Sequence, residues 1–146
     1  EREMQIHKKY LCIVDGKLEK DEDRWTDFLQ MNEKTNTSKV VSKTAKNAKE
    51  AILEYKVLKY EEEINLSVVE VDLYTGRHHQ IRVQFASRGH SLYGDQKYGT
   101  RGRGKQLALW AYELSFVHPT TKEQLVFHSI PEKTKSWKIL EGIIED

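Results

Sequence analysis

The pattern of apolar and polar positions predicts β-strands along most of the chain. Runs rich in β-branched and aromatic residues, several of them alternating with polar ones, are typical of strands with a buried face. These runs cover residues 10–14, 25–31, 39–42, 51–60, 64–74, 107–117 and 124–130. Turn-forming or acidic stretches separate them at residues 15–16, 32–38, 61–63 and 118–123. Strands in this order, with short connections, predict hairpins and a mainly antiparallel sheet.

One segment, which follows a Thr-Gly turn, carries two competing periods. Ile81, Val83 and Phe85 alternate as in a strand, but Ile81 and Phe85 are also spaced by four, as on one face of a helix. Gly89 follows the segment, and glycine suits the position just beyond a helix C-terminus. The pattern alone leaves both a strand and a helix open.

If this segment is a helix, Arg82 lies among its apolar residues and points inward. A permanently charged guanidinium is rarely buried without a carboxylate or phosphate partner. Asp72 and Asp95 are the nearest acids in sequence, and neither is an obvious partner by its spacing. A surface arginine is the alternative interpretation. Arg77 and His79 stand beside the predicted helix start, where free backbone N–H groups favour a phosphate.

The composition limits the classes of protein that the chain can represent. A length of 146 residues fits one domain, and the net charge of +1, from 24 basic and 23 acidic residues, makes any polyanion site a local patch. The single cysteine, Cys12, excludes a disulfide framework or thiolate zinc cluster and is predicted to lie in the core. There is no signal peptide or long apolar span, which favours the cytoplasm and no membrane association.

Two groups of cations could form a local patch. Arg101, Arg103 and Lys105 alternate with glycines, and a flexible backbone with alternate cations can follow a phosphate chain. A mobile surface loop is an equal interpretation of that segment. A second group, spaced by three on a short helix or loop, consists of Lys43, Lys46 and Lys49. Such a charge run is usually a solvated face, and a phosphate-facing one is the alternative.

The residues around Arg82 also resemble a known motif. Residues 75–83 read T-G-R-H-H-Q-I-R-V, followed by G-H at 89–90 and G-D-Q-K-Y-G at 94–99. This pattern is similar to the third conserved motif of the RluA-type pseudouridine synthases. The resemblance extends to residues 7–16, 54–58 and 109–119. The chain departs from the family pattern at Gln84, Ser91 and Trp110, and none of these changes removes a charge that the chemistry needs.

The resemblance implies a fold, a reaction and a set of site residues. The fold is α+β, with a mainly antiparallel mixed sheet and a few short helices. The reaction is isomerisation of uridine to pseudouridine in structured RNA, either rRNA or tRNA, and it needs no metal or organic cofactor. The catalytic residues implied are Arg82 and Tyr10. The RNA-binding residues implied are Arg77, His79, Gln80, Lys97, Arg101, Arg103 and Lys105, and the base pocket is lined by Leu107 and Leu109.

Some of these assignments have ordinary structural alternatives. Tyr10 is either the family's active-site tyrosine, which stacks on the target base and assists proton removal, or a strand aromatic packed on the sheet. Leu107 and Leu109 either line the base pocket or are core residues.

The family's nucleophile is missing from these residues. In the family it is an aspartate in an H-R-L-D-x-x-T-S-G segment, and nothing similar occurs between Glu1 and Asp146. We therefore expect residues 1–146 to be the C-terminal part of a catalytic domain, inactive alone, with the carboxylate partner of Arg82 on the absent part. Sheet edge and apolar surface left uncovered in this way favour self-association of the fragment.

Two other functions compete with this interpretation. A non-catalytic RNA-binding module could use the same basic groove without a nucleophile, and an H-R-L-D segment upstream in the gene would argue against it. A metal-dependent hydrolase built on His78, His79, His90 and Asp95 is disfavoured, because adjacent histidines supply poor ligand spacing on one face.

Overall fold

Seven strands and one helix make up the part of the chain that the computed structural model describes, residues 5–99, 106–117 and 124–128. In chain order they are β1 (Gln5–Asp15), β2 (Glu22–Asn32), β3 (Thr37–Val41), β4 (Lys49–Glu61), β5 (Leu66–Leu73), α1 (Gln80–Ser87), β6 (Leu109–Val117) and β7 (Gln124–His128). The strands form one antiparallel sheet in the order β3-β2-β4-β5-β1-β6-β7. This confirms the predicted α+β fold.

The predicted strands and hairpins are confirmed, with modest shifts at the ends. β2 pairs with β3, β4 with β5 and β6 with β7 across their connecting turns. β1 begins earlier than predicted, at Gln5, because its first residues pair with β6 as far as Val117. The connection 118–123 and the last two residues of the predicted strand 124–130 lie outside the described ranges.

The segment with two competing periods is a helix. In α1, Ile81, Val83 and Phe85 are buried even though they alternate in sequence. The helix ends at Ser87, and Gly89, just past the C-cap residue Arg88, has a φ of +84°, a conformation that glycine adopts without strain. The N–H of Gly89 donates to the Ala86 oxygen and the N–H of His90 to the Phe85 oxygen, the pattern of a Schellman C-terminus.

The main core lies between α1 and one face of the sheet. Phe85, fully buried, has its ring centroid 4.7 Å from that of Trp25 on β2 and 6.0 Å from that of Tyr55 on β4. Ile81 belongs to the same cluster, and Tyr10 packs against it. The aromatic rings thus fix the helix over β1, β2 and β4, because each buries a large apolar area.

β1 contributes to a core cluster on each face of the sheet. Cys12 belongs to the cluster under α1, whereas its neighbours Leu11 and Ile13 belong to a second cluster with Val68. Successive side chains of a strand point to opposite faces, which explains the division. Cys12 is fully buried, so its predicted core position is confirmed, and burial raises the pKa of its thiol.

The lysine-rich stretch before β4 is a loop rather than a helix. Turns at Ala45 and Ala48 are closed by backbone hydrogen bonds to Ser42 and Ala45. No helix in the described ranges is both long and apolar enough to span a bilayer. The stretch 101–105, with its three predicted RNA-binding cations, lies outside those ranges.

Candidate active site

A buried glutamine braces the turn between β5 and α1. The Oε1 of Gln80 accepts hydrogen bonds from the Thr75 hydroxyl (2.8 Å) and the Arg77 N–H (3.0 Å), and its Nε2 donates to the Ile52 oxygen (3.1 Å). Thr75 in turn accepts the Ile52 N–H at 2.9 Å. The first residues of the motif therefore hold the start of the helix against β4.

Two stacked histidines stand at the start of the helix. His79, the residue before the first helical residue, has a φ of +55°, a left-handed conformation that is uncommon outside glycine. Its ring stacks on that of His78 with centroids 3.8 Å apart. His78 is fixed by contacts of its Nδ1 with the Ser38 hydroxyl (2.7 Å) and its Nε2 with the Asn36 side-chain oxygen (2.9 Å). The helix start is thereby joined to the β2–β3 hairpin.

Arg82 already has a carboxylate partner within the chain. Its Nε and Nη2 donate to the two oxygens of Asp95 at 2.9 and 2.8 Å. The prediction that the carboxylate partner of Arg82 lies on the absent part is therefore wrong, because Asp95 already pairs with it. The turns at Gly89 and Gly94, both with positive φ, bring the loop after the helix back to the guanidinium. Spacing alone could not reveal such a contact.

The carboxylate of Asp95 is enclosed and heavily hydrogen-bonded. Its side chain is fully buried. Besides Arg82, the backbone N–H groups of Lys97 and Tyr98 donate to its Oδ1 at 3.1 and 3.0 Å. Burial alone would raise the pKa of Asp95, but the hydrogen bonds from Arg82 and the two N–H groups outweigh it and lower that pKa. Asp95 is thus a charged anchor for the guanidinium.

Tyr98 connects this ion pair to the histidines. The Arg82 guanidinium lies 5.1 Å from the centroid of the Tyr98 ring. The Tyr98 hydroxyl accepts the Ser38 N–H at 2.9 Å and contacts Nδ1 of His79 at 2.6 Å. Burial, followed by the positive charge of Arg82, lowers the pKa of His79, which favours a neutral imidazole. The imidazole of His79 is therefore available as a neutral hydrogen-bonding group rather than as a cation.

A cleft of about 280 Å³ gathers most of the predicted site residues. It is lined by Tyr10, Arg77, His79, Gln80, Arg82, Leu107 and Leu109, together with Leu73 and Ile81. The lining combines polar and charged groups from the helix start with an apolar wall formed by the four aliphatic residues. Tyr10 enters from β1, at the point where its pairing with β6 shifts register. Such an irregularity redirects a strand side chain, so Tyr10 need not follow the regular alternation.

The remaining predicted contacts differ in their placement. Lys97 is not among the residues that line the cleft, and its ammonium donates to the Asn36 oxygen at 3.1 Å. Gln80 is only 3% exposed, and its amide braces the helix instead of extending outward. Arg101, Arg103 and Lys105 lie outside the described ranges. An RNA contact by any of these residues stays a prediction.

The guanidinium of Arg82 keeps donors for the cleft. Arginine has five N–H groups, and Asp95 engages one edge, formed by Nε and Nη2. Among the described residues, Nη1 has no hydrogen-bond acceptor. The side chain is 18% exposed and lines the cleft. A second carboxylate or a phosphate can therefore bind the outer edge without displacing Asp95.

The sequence did not assign the roles that two residues have in this network, although Asp95 was one of the two acids considered for Arg82. Asp95 anchors Arg82, and Tyr98 links it to His79. Both belong to the G-D-Q-K-Y-G stretch, where paired glycines around an acid and an aromatic residue signal a tight turn with a function. That signal could have indicated the turn but not the helix residue that it meets.

The three departures from the family pattern lie away from the cleft. Gln84 is fully buried and its Nε2 donates to Asp27 at 3.0 Å. Ser91 contacts the Asp15 carboxylate, and Trp110 packs against the second core cluster. Their positions indicate roles in packing.

A metal centre receives no support from the geometry of the described residues. No group of three or more His, Cys, Asp or Glu side chains there converges on a common point. Both ring nitrogens of His78 contact protein oxygens, and Asp95 is engaged by Arg82.

Comparisons with known proteins agree with this architecture. A solved structure titled Human RNA Pseudouridylate Synthase Domain Containing 1 superposes with a TM-score of 0.76 at 23% identity, over 92% of this chain and 58% of that one. An uncharacterized RNA pseudouridine synthase of Aquifex aeolicus is 43% identical over 102 residues, 62% of this chain and 32% of the relative. A ribosomal large subunit pseudouridine synthase D of Zymomonas mobilis is 31% identical over 132 residues, 84% of this chain and 40% of the relative.

The chain thus spans about a third to two fifths of the length of these curated relatives. The sequence model of the RNA pseudouridylate synthase family matches residues 1–87, more than half of the 146 residues. That match ends with α1 and so includes Tyr10 and Arg82, the two residues that meet in the cleft. The chain belongs to the RNA pseudouridylate synthase family.

Proposed function

We propose that this chain is part of the catalytic domain of an RNA pseudouridine synthase, which isomerises uridine to pseudouridine in rRNA or tRNA. The observation that carries the proposal is the meeting of Tyr10, Arg82 and an apolar wall in one cleft, within a chain of this family. A volume of about 280 Å³ is near the lower end for small-ligand pockets, which suits a single nucleoside. The target uridine must leave its stack to enter.

The reaction exchanges one bond of the nucleoside for another. An aspartate carboxylate bonds to C1′ as the bond from C1′ to N1 breaks, the base turns, and C5 then bonds to C1′ and displaces the carboxylate. C5 then loses its proton and N1 carries one, so atoms and charges balance without a redox step or a cofactor. The H-R-L-D segment that supplies this aspartate in the family has no counterpart in the 146 residues. In this proposal the nucleophile comes from another part of the complete protein.

Arg82 orients that nucleophile. Asp95 holds the inner edge in place and the side chain lines the cleft, so the outer edge around Nη1 is available to a second carboxylate there. An opposite charge at hydrogen-bond distance lowers a carboxyl pKa, which keeps the nucleophile ionised. The Tyr98 ring beside the guanidinium and the Asp95 carboxylate together restrict its rotation.

Tyr10 and the leucines hold the base. Leu107 and Leu109 line the cleft with Tyr10, and an aromatic ring with aliphatic neighbours suits the faces of a flat uracil. The Tyr10 hydroxyl, as in the family resemblance, assists removal of the proton from C5. Arg77, at the exposed mouth, binds a phosphate of the same strand.

Release of tritium from 5-tritiated uridine in RNA tests this function. We expect release by the complete protein and none by residues 1–146 alone, because the fragment has no nucleophile. Arg82→Lys in the complete protein should lower tritium release strongly, since a lysine ammonium lacks the planar guanidinium that can bind Asp95 along one edge and a second carboxylate along the other. Tritium release by the fragment alone would refute the external nucleophile. RNA binding by the complete protein without release from total cellular RNA would favour a non-catalytic RNA-binding module.

The modified RNA can be identified in cells. Mass spectrometry of rRNA and tRNA from a strain lacking the gene should show one or more pseudouridines replaced by uridine. An unchanged set of pseudouridines in both RNA classes would contradict the proposed substrates.

A further inference from the structure

A second depression adjoins the cleft at Arg77. This groove encloses about 430 Å³ and lies among β2, β3, the start of β4 and the turn before α1. Arg77 lines both the cleft and the groove. Its Nε donates a 2.7 Å hydrogen bond to the backbone oxygen of Glu50, which holds the side chain at the junction. The two depressions are therefore neighbours that share one cation.

The groove combines an apolar surface with positive charge. Met31 is 46% exposed, and Leu29 beside it in the lining is buried. Lys49 and Arg77 bring two cations to the lining, against the single carboxylate of Glu33. A flexible, polarizable thioether packs well on aromatic rings, and guanidinium and ammonium groups bind phosphates. This chemistry suits a nucleotide, which presents a flat base and an anionic phosphate.

Polar groups complete the lining. His78 forms part of it, and its ring is held in place through both nitrogens by Ser38 and Asn36. Asn47 lies in the loop before β4, with a φ of +58°, and is also a lining residue of the groove. An amide side chain can donate to and accept from a base edge, so the groove has a means of recognition as well as attraction.

We propose that this groove binds the nucleotide next to the target uridine. Its base packs against Met31, and the phosphate that joins the two nucleotides lies between Arg77 and Lys49. The inference rests on the proposed function, because the cleft is assigned to the target uridine. Consecutive nucleotides are covalently joined, so a binding site for the nucleotide next to the target uridine must adjoin the cleft. The shared Arg77 meets that requirement.

The methionine provides a direct probe of occupancy. The chain contains two methionines, so its ¹³C-methyl methionine spectrum is simple to assign. We expect the dinucleotide uridylyl-uridine to shift the Met31 methyl signal, and uridine monophosphate to shift the Arg82 side-chain signal with a smaller effect on Met31. A Met31 signal that stays unmoved while the dinucleotide shifts Arg82 would overturn the inference and leave the cleft assignment intact.

A charge reversal tests the phosphate contact. Lys49→Glu should raise the Kd of the chain for a fluorescent oligouridine several-fold. It should also lower the slope of log Kd against log salt by about 0.7, the value for one lost phosphate contact on a single strand. Lys46→Glu is the matched control, since Lys46 is exposed in the loop just before β4, three residues from Lys49, but lies outside the groove lining. Equal effects of the two changes would indicate a general field and refute the local contact.

These measurements separate the groove from the reaction. They report binding and need no turnover. A complete protein that releases no tritium would refute the synthase function, and the Met31 methyl signal and the Kd of Lys49→Glu would still test whether the groove binds a nucleotide. An active complete protein whose affinity for RNA is unaffected by Lys49→Glu would refute the groove and leave the synthase function standing.

Discussion

At the scale of single residues, the candidate site is organised around Arg82. Asp95 holds one edge of its guanidinium through two hydrogen bonds, and the Arg82 side chain also lines the cleft. The Asp95 side chain is fully buried, and among the described residues Arg82 is the only cation in direct hydrogen-bond contact with it. Stability and orientation therefore rest on the same ion pair.

Replacing the anchor tests this dependence. Asp95→Asn keeps the shape and one acceptor oxygen but leaves Arg82 without its charge partner, so we expect a loss of about 3 kcal/mol in the free energy of unfolding. Urea denaturation measures it. Glu63→Gln, the same change at an exposed turn, should stay within about 0.5 kcal/mol of the parent chain. Equal stability of the two variants would contradict an anchoring role.

The same pair predicts a dependence on acid. The pKa of Asp95 is lowered from its ordinary 3.8 in the folded chain, so the unfolded chain binds its proton first as the pH falls. The pair's contribution is present above pH 3.8 and is lost as the pH falls through the folded pKa. Asp95→Asn should remove this part of the acid dependence.

His79 gives a second dependence at higher pH. Its pKa is lowered from the ordinary 6.5, so at mildly acidic pH the unfolded chain binds a proton that the folded chain resists. Stability should therefore fall as the pH drops through about 6.5, and His79→Gln should flatten that slope. Thermal unfolding of both chains across that range measures the difference. An unchanged slope in His79→Gln would show that this imidazole is not responsible.

At the scale of elements, the glycine turns after α1 determine whether Asp95 reaches Arg82. Gly89 and Gly94 have similar φ values, +84° and +80°, but different surroundings. A Cβ on Gly89 would have no atom within 4 Å, whereas one on Gly94 would clash with the backbone oxygen of Gln106. The first glycine is needed for its conformation alone, and the second also for the close approach of another backbone segment.

This difference makes the two glycines a matched pair. Gly89→Ala should cost about 1 kcal/mol, the strain of a left-handed alanine. Gly94→Ala should cost about 2 kcal/mol more, because the backbone must move to admit the methyl group. Urea denaturation gives both values, and the Arg82 side-chain NMR signal should shift only in Gly94→Ala. Similar losses in the free energy of unfolding would mean that the backbone segments at Gly94 and Gln106 move apart easily.

At the scale of the whole molecule, β3 is an outer strand of the sheet that the described residues form, and the unpaired N–H and C=O groups of an outer strand can pair with another copy. β3 is five residues long, and Val40 on it is 40% exposed. We predict concentration-dependent self-association of residues 1–146, measured by light scattering. Val40→Lys should reduce it, because a charged edge opposes strand pairing. A monomer at all concentrations would contradict the prediction.

The sequence determined the strands, the glycine turns and the residue types of the site. Alternation of apolar residues is a local property, so runs such as 51–60 and 64–74 could be assigned directly. The motif resemblance alone pointed to Tyr10 and Arg82 as candidate catalytic residues. Their meeting in one cleft was only an expectation, since it depends on how β1 and α1 pack.

Only the tertiary structure decided three features of the site. The alternating residues 81, 83 and 85 fit a strand equally well, and the helix prevails because Phe85 packs against Trp25 and Tyr55 while Gln80 satisfies the polar groups of the turn. Asp95 pairs with Arg82 because the loop folds back. The groove beside Arg77 exists because β2, β3 and β4 meet there. Each arises from contacts between segments distant in sequence, which no local pattern encodes.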